Sequence, residues 1–185
     1  MIKDSEKTKA RLLAAATAEF AEFGIAGARI DRIAKVAETN KAMIYAYFGS
    51  KDELFDTVFS THVGATLGRV DFDVSDLPSY AGRLFDWFED DPAALRLSTW
   101  YRLERPTGVG LQAVVLINQV RLERLERAQR EGALAKHFEP IQLLSLIQAI
   151  ATSWATTNPE LGVAATTDRN YRRQTVVDAV KRLLT

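Results

Sequence analysis

Cysteine is absent from the 185 residues. Disulfides, thiolate metal sites and cysteine nucleophiles are therefore excluded. Histidine occurs twice, at His62 and His137, and neither has the spacing of a metal pair or of a catalytic base. There is no Gly-rich phosphate loop and no G-x-S-x-G elbow. Acidic runs such as Glu89-Asp90-Asp91 fall where helices end and read as end charges. With no catalytic constellation, the sequence does not read as an enzyme, and no cofactor or metal is expected. No apolar run approaches the roughly 20 residues of a membrane span. Asp4, Glu6, Lys7, Lys9 and Arg11 precede the first apolar run, which argues against a signal-peptide core and for the cytoplasm. An excess of one charge is also lacking: 24 Lys+Arg balance 24 Asp+Glu, with a pI near 6.8. That excludes a protein that coats nucleic acid indiscriminately, but permits one whose basic residues cluster on one face.

Strand signals are scarce. VDFDVSD at 70–76 alternates, but it is short and acidic, leads into Leu77-Pro78, and reads as a loop. What is present is helical periodicity on a chain that is 47% apolar, enough to bury a core. Helices are expected at about 51–67, 77–89, 92–104, 108–131, 140–157 and 168–184. Asp91-Pro92 places proline at a first helical position. Pro106 breaks the chain, Gly132 closes a long helix, Pro140 opens another, Asn158-Pro159 ends it, and Thr167 or Asp168 caps the last. The fold class is all-α, without repeats. The division expected is an N-terminal domain over 6–66 and a helical domain over 67–185, joined by a shared helix.

The stretch Arg29–Lys51 carries the strongest signal. Ile30, Ile33 and Ala34, followed by Ala37, make one apolar stripe at helical spacing. Glu38-Thr39-Asn40 interrupt it. Asn40 is suited to cap a second short helix, about 41–47, with Ile44 and Phe48 inward and Lys41, Ala42, Met43, Tyr45 and Tyr47 left to point elsewhere. Gly49-Ser50 stops that helix, and Ser50 with Glu53 matches a capping box for the next. Between Glu38 and Asp52 there are two lysines, 41 and 51, and no acid. Taken singly, those lysines read as solvated charges, the tyrosines as half-buried core, and Asn40 as a cap only. Together they are built like a helix-turn-helix for the DNA major groove, whose recognition helix meets base edges with its N-terminal residues and phosphates with its flanks.

From about Thr8 to Val58 these residues resemble the DNA-binding domain of tetracycline-repressor-like (TetR) bacterial regulators. The shared features are a first helix with Leu13, Ala16, Phe20 and Phe23 on one face and a Gly24 stop, the pair-and-step Ile33, Ala34, Ala37, and an ending I-Y-x-Y-F-x-S-K-x-x-L-F from Ile44 to Phe55. The resemblance implies a helix-turn-helix over about 29–48. It implies DNA contacts from Lys41 at the start of the recognition helix, Tyr45 at the DNA surface, and Tyr47 and Lys51 on phosphates. Arg29 stands where a capping threonine that touches phosphate is common. Glu38 replaces a turn glycine, which implies a strained backbone or altered geometry there. Thr39 replaces a valine, and Asn40 a serine whose capping chemistry it keeps. Ala42 and Met43 replace glycine and threonine, cannot donate to bases, and are expected to meet thymine methyls or simply to fill the groove.

In the last two long helices, Leu143, Ile147, Ile150 and Trp154 and then Val176, Val180 and Leu183 form apolar faces wider than one intrachain contact needs. Either a second copy or a larger intrachain core covers them. The resemblance implies a homodimer through these helices. It also implies a pocket for a small-molecule effector, for which Trp87, Phe88, Trp100, Tyr101, Glu104, Asn118, Arg121 and Trp154 are candidates. Glu104 and Arg121 read equally as an ion pair, and the tryptophans as core. The partners expected are a double-stranded palindromic operator, a second copy of the chain and an unidentified effector, with no membrane. The function expected is a ligand-released repressor. The alternatives are a corepressor-dependent regulator, or an interaction protein of the same fold that has lost DNA reading.

Overall fold

The computed structural model describes residues 2–64, 67–105, 110–156, 160 and 168–185. Among them there is no strand, and nine α-helices are seen. They are α1 (Ile2–Gly27), α2 (Ile30–Val36), α3 (Lys41–Phe48), α4 (Lys51–Phe59), α5 (Leu77–Asp90), α6 (Pro92–Glu104), α7 (Gln112–Arg130), α8 (Pro140–Thr152) and α9 (Arg169–Leu183). No helix among the described residues is long and apolar enough to cross a membrane. The chain divides into two compact units. The first runs to Leu67 and takes in Pro92–Val114; the second comprises Gly68–Asp91 and Val115–Thr185.

The first unit is built on α1. Leu12, Ala16 and Phe20 are fully buried, and so are Ile44, Leu54, Phe55 and Val58. Phe20 meets Phe55 edge-on at 5.2 Å, the favoured aromatic geometry. Gly24, expected to stop α1, takes the non-helical angles φ 70° and ψ −176°, and the kink there separates the helix proper from a last turn to Gly27. The groups freed at the kink are taken up by α6. Arg96 Nε and Trp100 Nε1 donate to the Ala21 carbonyl at 2.6 and 3.2 Å, and Glu104 accepts from Ala26 N at 2.7 Å. Buried or half-buried backbone groups must find such partners. A Cβ at Gly24 would lie 2.5 Å from Glu104 Oε1. The helix expected over 51–67 is regular only to Phe59 and continues as a π-turn, Ser60–Gly64.

The second unit packs α5 against α9 and α8. Tyr80, Ala81 and Leu84 of α5 bury against Ile147 and Ala151 of α8 and Val176 and Val180 of α9, all at most 2% exposed. Flanking ion pairs join α5 to α9: Arg172 to Glu89 at 2.6 Å, Arg173 to Asp86 at 2.7 Å and Arg169 to Asp90 at 2.6 Å. The 70–76 loop contains a 3-10 turn, Val74–Asp76, and buries Phe72 edge-on to Tyr80 at 4.8 Å. Helix ends differ by a few residues from those expected. The long helix starts at Gln112, not 108, and α8 ends at Thr152, not 157. Asp168 caps α9, accepting from Tyr171 N at 3.0 Å. Pro106, Asn158, Pro159 and Thr167 lie outside the described residues.

Candidate nucleic-acid interface

In the first unit, α2 and α3 bury Ile30, Ile33, Ala34, Ile44 and Phe48 against α1 and α4. The opposite face of α3 is open. Lys41, Ala42, Met43 and Tyr45 are exposed, Met43 by 39% and Tyr45 by 48%. This face sets a cation, two apolar side chains and an aromatic ring within the first turns of the helix.

Three local devices hold this face. Asn40 caps α3, its side chain accepting from Met43 N at 2.9 Å. Ser50 caps α4, accepting from Glu53 N at 3.1 Å. The return arm of the expected capping box is not used: Ser50 N donates to the Phe48 carbonyl at 3.0 Å. Between α2 and α3, Glu38 takes φ 51°, the one non-glycine residue of positive φ among those described. Thr39 N reaches Ala34 O at 2.9 Å and Glu38 N reaches Lys35 O at 3.2 Å. This is a Schellman closure, which needs a left-handed residue and usually has glycine there. The strain of this closure falls on Glu38, whose Cβ disfavours the left-handed backbone.

The charged residues are positioned from within the unit. Lys41 pairs with Asp31. Tyr47 OH shares a hydrogen bond of 2.9 Å with Ser5. Lys51 Nζ donates to the carbonyls of Ala26 at 3.2 Å and Ala28 at 3.4 Å, closing the end of α1. Arg29 extends an exposed side chain, and its backbone N–H is held by Glu19 Oε1 at 2.7 Å. Glu19 is 9% exposed and also accepts from Arg32 Nε at 2.7 Å. Arg29 therefore begins α2 without capping it by its own side chain, and a carboxylate from α1 does the capping. Sequence reasoning missed Glu19, Asp31 and Ser5. The one signal for Glu19 was a charge between Ala18 and Phe20 on an otherwise apolar stretch of α1.

The expected effector-pocket residues are shared between the units. In the first, Trp100 and Glu104 cap the kink of α1, while Tyr101 stacks on Phe59 at 4.5 Å and accepts from Leu111 N at 3.1 Å. In the second, the Trp87 and Phe88 rings meet at 4.5 Å, tilted by 38° and half-buried. Asn118 and Trp154 are half-buried, and Arg121 is 3% exposed. The expected dimer residues need a correction. Leu143, Ile147, Val176 and Val180 are 2, 0, 1 and 0% exposed in the single chain, so they belong to the intrachain core. Ile150, Trp154 and Leu183 keep partial exposure.

Comparison with known proteins agrees with this arrangement. Residues 12–58 match the family model for bacterial regulatory proteins of the tetR family. Residues 76–182 match that for the tetracyclin repressor-like C-terminal domain. The chain is 38% identical over 166 residues to the HTH-type transcriptional repressor SCO4008 of Streptomyces coelicolor, covering 86% of this chain and 83% of the relative. It is 36% identical over 69 residues to the transcriptional repressor NicS of Pseudomonas putida, 37% of this chain and 32% of the relative. The crystal structure of the transcriptional regulator SCO4942 from Streptomyces coelicolor superposes with a TM-score of 0.84 at 41% identity, over 95% of this chain and 97% of the other.

Proposed function

The chain belongs to the TetR family of DNA-binding transcriptional regulators, and from that premise we propose that it is a repressor that binds a palindromic operator as a homodimer and is released by a small-molecule effector. The observation that carries DNA reading is the exposed face of α3, with Lys41, Ala42, Met43 and Tyr45 presented on a helix capped by Asn40. On this reading Ala42 and Met43 meet thymine methyls. Lys41 exchanges Asp31 for a phosphate, and Arg29, Tyr47 and Lys51 flank the groove on the backbone. Two such helices one helical turn apart read two half-sites. A regulator of this kind works on the chromosome in the bacterial cytoplasm, and the family is generally not enzymatic.

Release requires an effector that binds the two conformations of the protein unequally. A coupling of about 1–3 kcal/mol is typical. The π-turn Ser60–Gly64, at the end of α4, is the irregular point along the helix that follows the recognition helix, and such turns often mark working positions.

The test is selection of random duplex DNA by the purified protein, followed by salt titration of the enriched site. A two-fold symmetric site whose affinity falls steeply with salt is expected. An asymmetric site would overturn the homodimeric reading. If nothing is enriched, the selection is repeated with a metabolite extract. Enrichment then means a corepressor-dependent regulator, and continued failure means an interaction protein that has lost DNA reading.

A further inference from the structure

One face of α7 changes character along its length. Ile117, Val120, Arg121 and Arg124 recur at i, i+3, i+4 and i+7, the spacing of a single helical stripe. The stripe is apolar toward the N-terminus and cationic toward the C-terminus. Together with the 68–72 segment it lines an open cleft of ≈ 390 Å³ in the second unit. Arg69 and Val70 complete the walls. The volume is within the range of small-ligand sites.

Among the described residues lining the cleft, cations outnumber carboxylates. Three guanidiniums, from Arg69, Arg121 and Arg124, line it with one carboxylate, Asp71. That carboxylate already lies 3.8 Å from Arg83, which also donates to the Asp71 carbonyl at 3.0 Å. Arg124 uses one of its N–H groups on the Phe72 carbonyl at 3.1 Å, which fixes its direction and leaves further donors of the fork. Arg121 is 3% exposed, with its guanidinium 5.6 Å from the Phe72 ring centroid and 5.3 Å from that of Tyr80. Burial pushes its pKa down, Arg124 adds to that, and Tyr80 opposes it. Two guanidiniums one helical turn apart repel each other, and an anion held between them relieves that repulsion. Guanidinium forks also suit a carboxylate better than a point charge does. The apolar end of the stripe, with Val120 48% exposed, offers contact to a hydrocarbon body.

We propose that this cleft binds a small organic acid, its carboxylate between Arg121 and Arg124 and its apolar body along Ile117, Val120 and Val70. Its regulatory meaning rests on the reading of the chain as an effector-controlled repressor; the binding itself does not.

Calorimetry on the full chain tests it. The probes are hexanoate and benzoate, their uncharged counterparts hexan-1-ol and benzyl alcohol, and inorganic phosphate. Both acids are expected to bind, with each alcohol weaker by about tenfold or more. Arg124→Gln, at an exposed position, should weaken the acids by a similar factor, and so should Arg121→Met if circular dichroism shows it folded. Equal affinity for acid and alcohol, unchanged affinity in Arg124→Gln, or no binding by any acid at about 10 mM would overturn the proposal. Phosphate binding more tightly than either acid would overturn the organic-acid part and leave a bare anion site. The acids are then added to the protein–operator complex. Arginine-dependent binding that leaves operator affinity unchanged would support the cleft and remove it from control of DNA binding. A failure of DNA binding in all conditions would count against the repressor reading alone.

Discussion

Lys51 combines an observed structural contact with a proposed one. Its ammonium closes the end of α1 by donating to Ala26 O and Ala28 O, and it stands where phosphate contact is proposed. The family resemblance implied the second role only, and the first left no local signal because the carbonyls lie 25 and 23 residues earlier in the chain. Lys51→Met should therefore lower the stability of the DNA-free protein by about 1 kcal/mol, the scale of hydrogen bonds to a charged donor discounted for partial exposure. A urea midpoint unchanged by the substitution would remove the structural role. Tyr80 is a different case. It is fully buried, and burial raises its pKa above the ordinary 10.0, only partly offset by Arg121 and Gln148. Below 10.0 the phenol is protonated in both folded and unfolded chains. As pH rises past that value, the unfolded chain loses the proton while the folded chain holds it, so stability falls until the folded value is passed. Ultraviolet difference titration should find one tyrosine ionising last and together with unfolding. Tyr80→Phe should remove that tyrosine and flatten the alkaline loss of stability.

At the scale of elements, caps and breakers were the legible part. Asn40, Ser50, Asp168, Pro92 and Gly132 stand at helix ends as local chemistry requires. Gly24 breaks the regular helix as its position suggests, but the further turn to Gly27 and the partners from α6 that hold it leave no local pattern. Glu19 was missed because a cap supplied by another helix leaves no local pattern. The α2–α3 turn gives the sharpest element-level expectation. Gly132 and Glu38 occupy the same position of the same closure, at φ 76° and 51°. Glycine adopts it without a Cβ penalty, whereas glutamate pays about 1 kcal/mol or more. The Glu38–Arg11 pair at 3.2 Å, with Glu38 79% exposed, offsets little of that. Glu38→Gly should thus raise thermal stability, and it should also remove a negative charge beside the recognition helix. Operator affinity is expected to rise with it, most at low salt. A lower melting temperature would show that the Arg11 contact outweighs the strain.

At the scale of the whole molecule, helical periodicity identified the fold class, because every buried stripe is amphipathic at 3.6 residues. It did not say what covers each stripe. The segment Pro92–Val114 joins the first unit, although its pattern looks like that of the helices beyond it. Leu143, Ile147, Val176 and Val180 were expected at a subunit interface and are covered by their own chain. That narrows the surface a second copy can use. On α8 the residues left open are Ile141, Gln142, Ser145, Leu146 and Ala149, with Ile150 half-open. Leu146 is 37% exposed, and the small side chains of Ser145 and Ala149 beside it let another helix approach closely. Ala149→Arg places a cation on this face without touching the intrachain core. Sedimentation should find the wild-type chain dimeric and the variant monomeric, with unchanged helicity. Because linkage turns the second half-site into an intramolecular event, the monomer should lose about 10²–10⁴-fold in affinity for a two-half-site operator while keeping its affinity for a single half-site. A variant that stays dimeric would move the interface off this face of α8. One that is monomeric but binds the full operator undiminished would separate dimerisation from DNA reading.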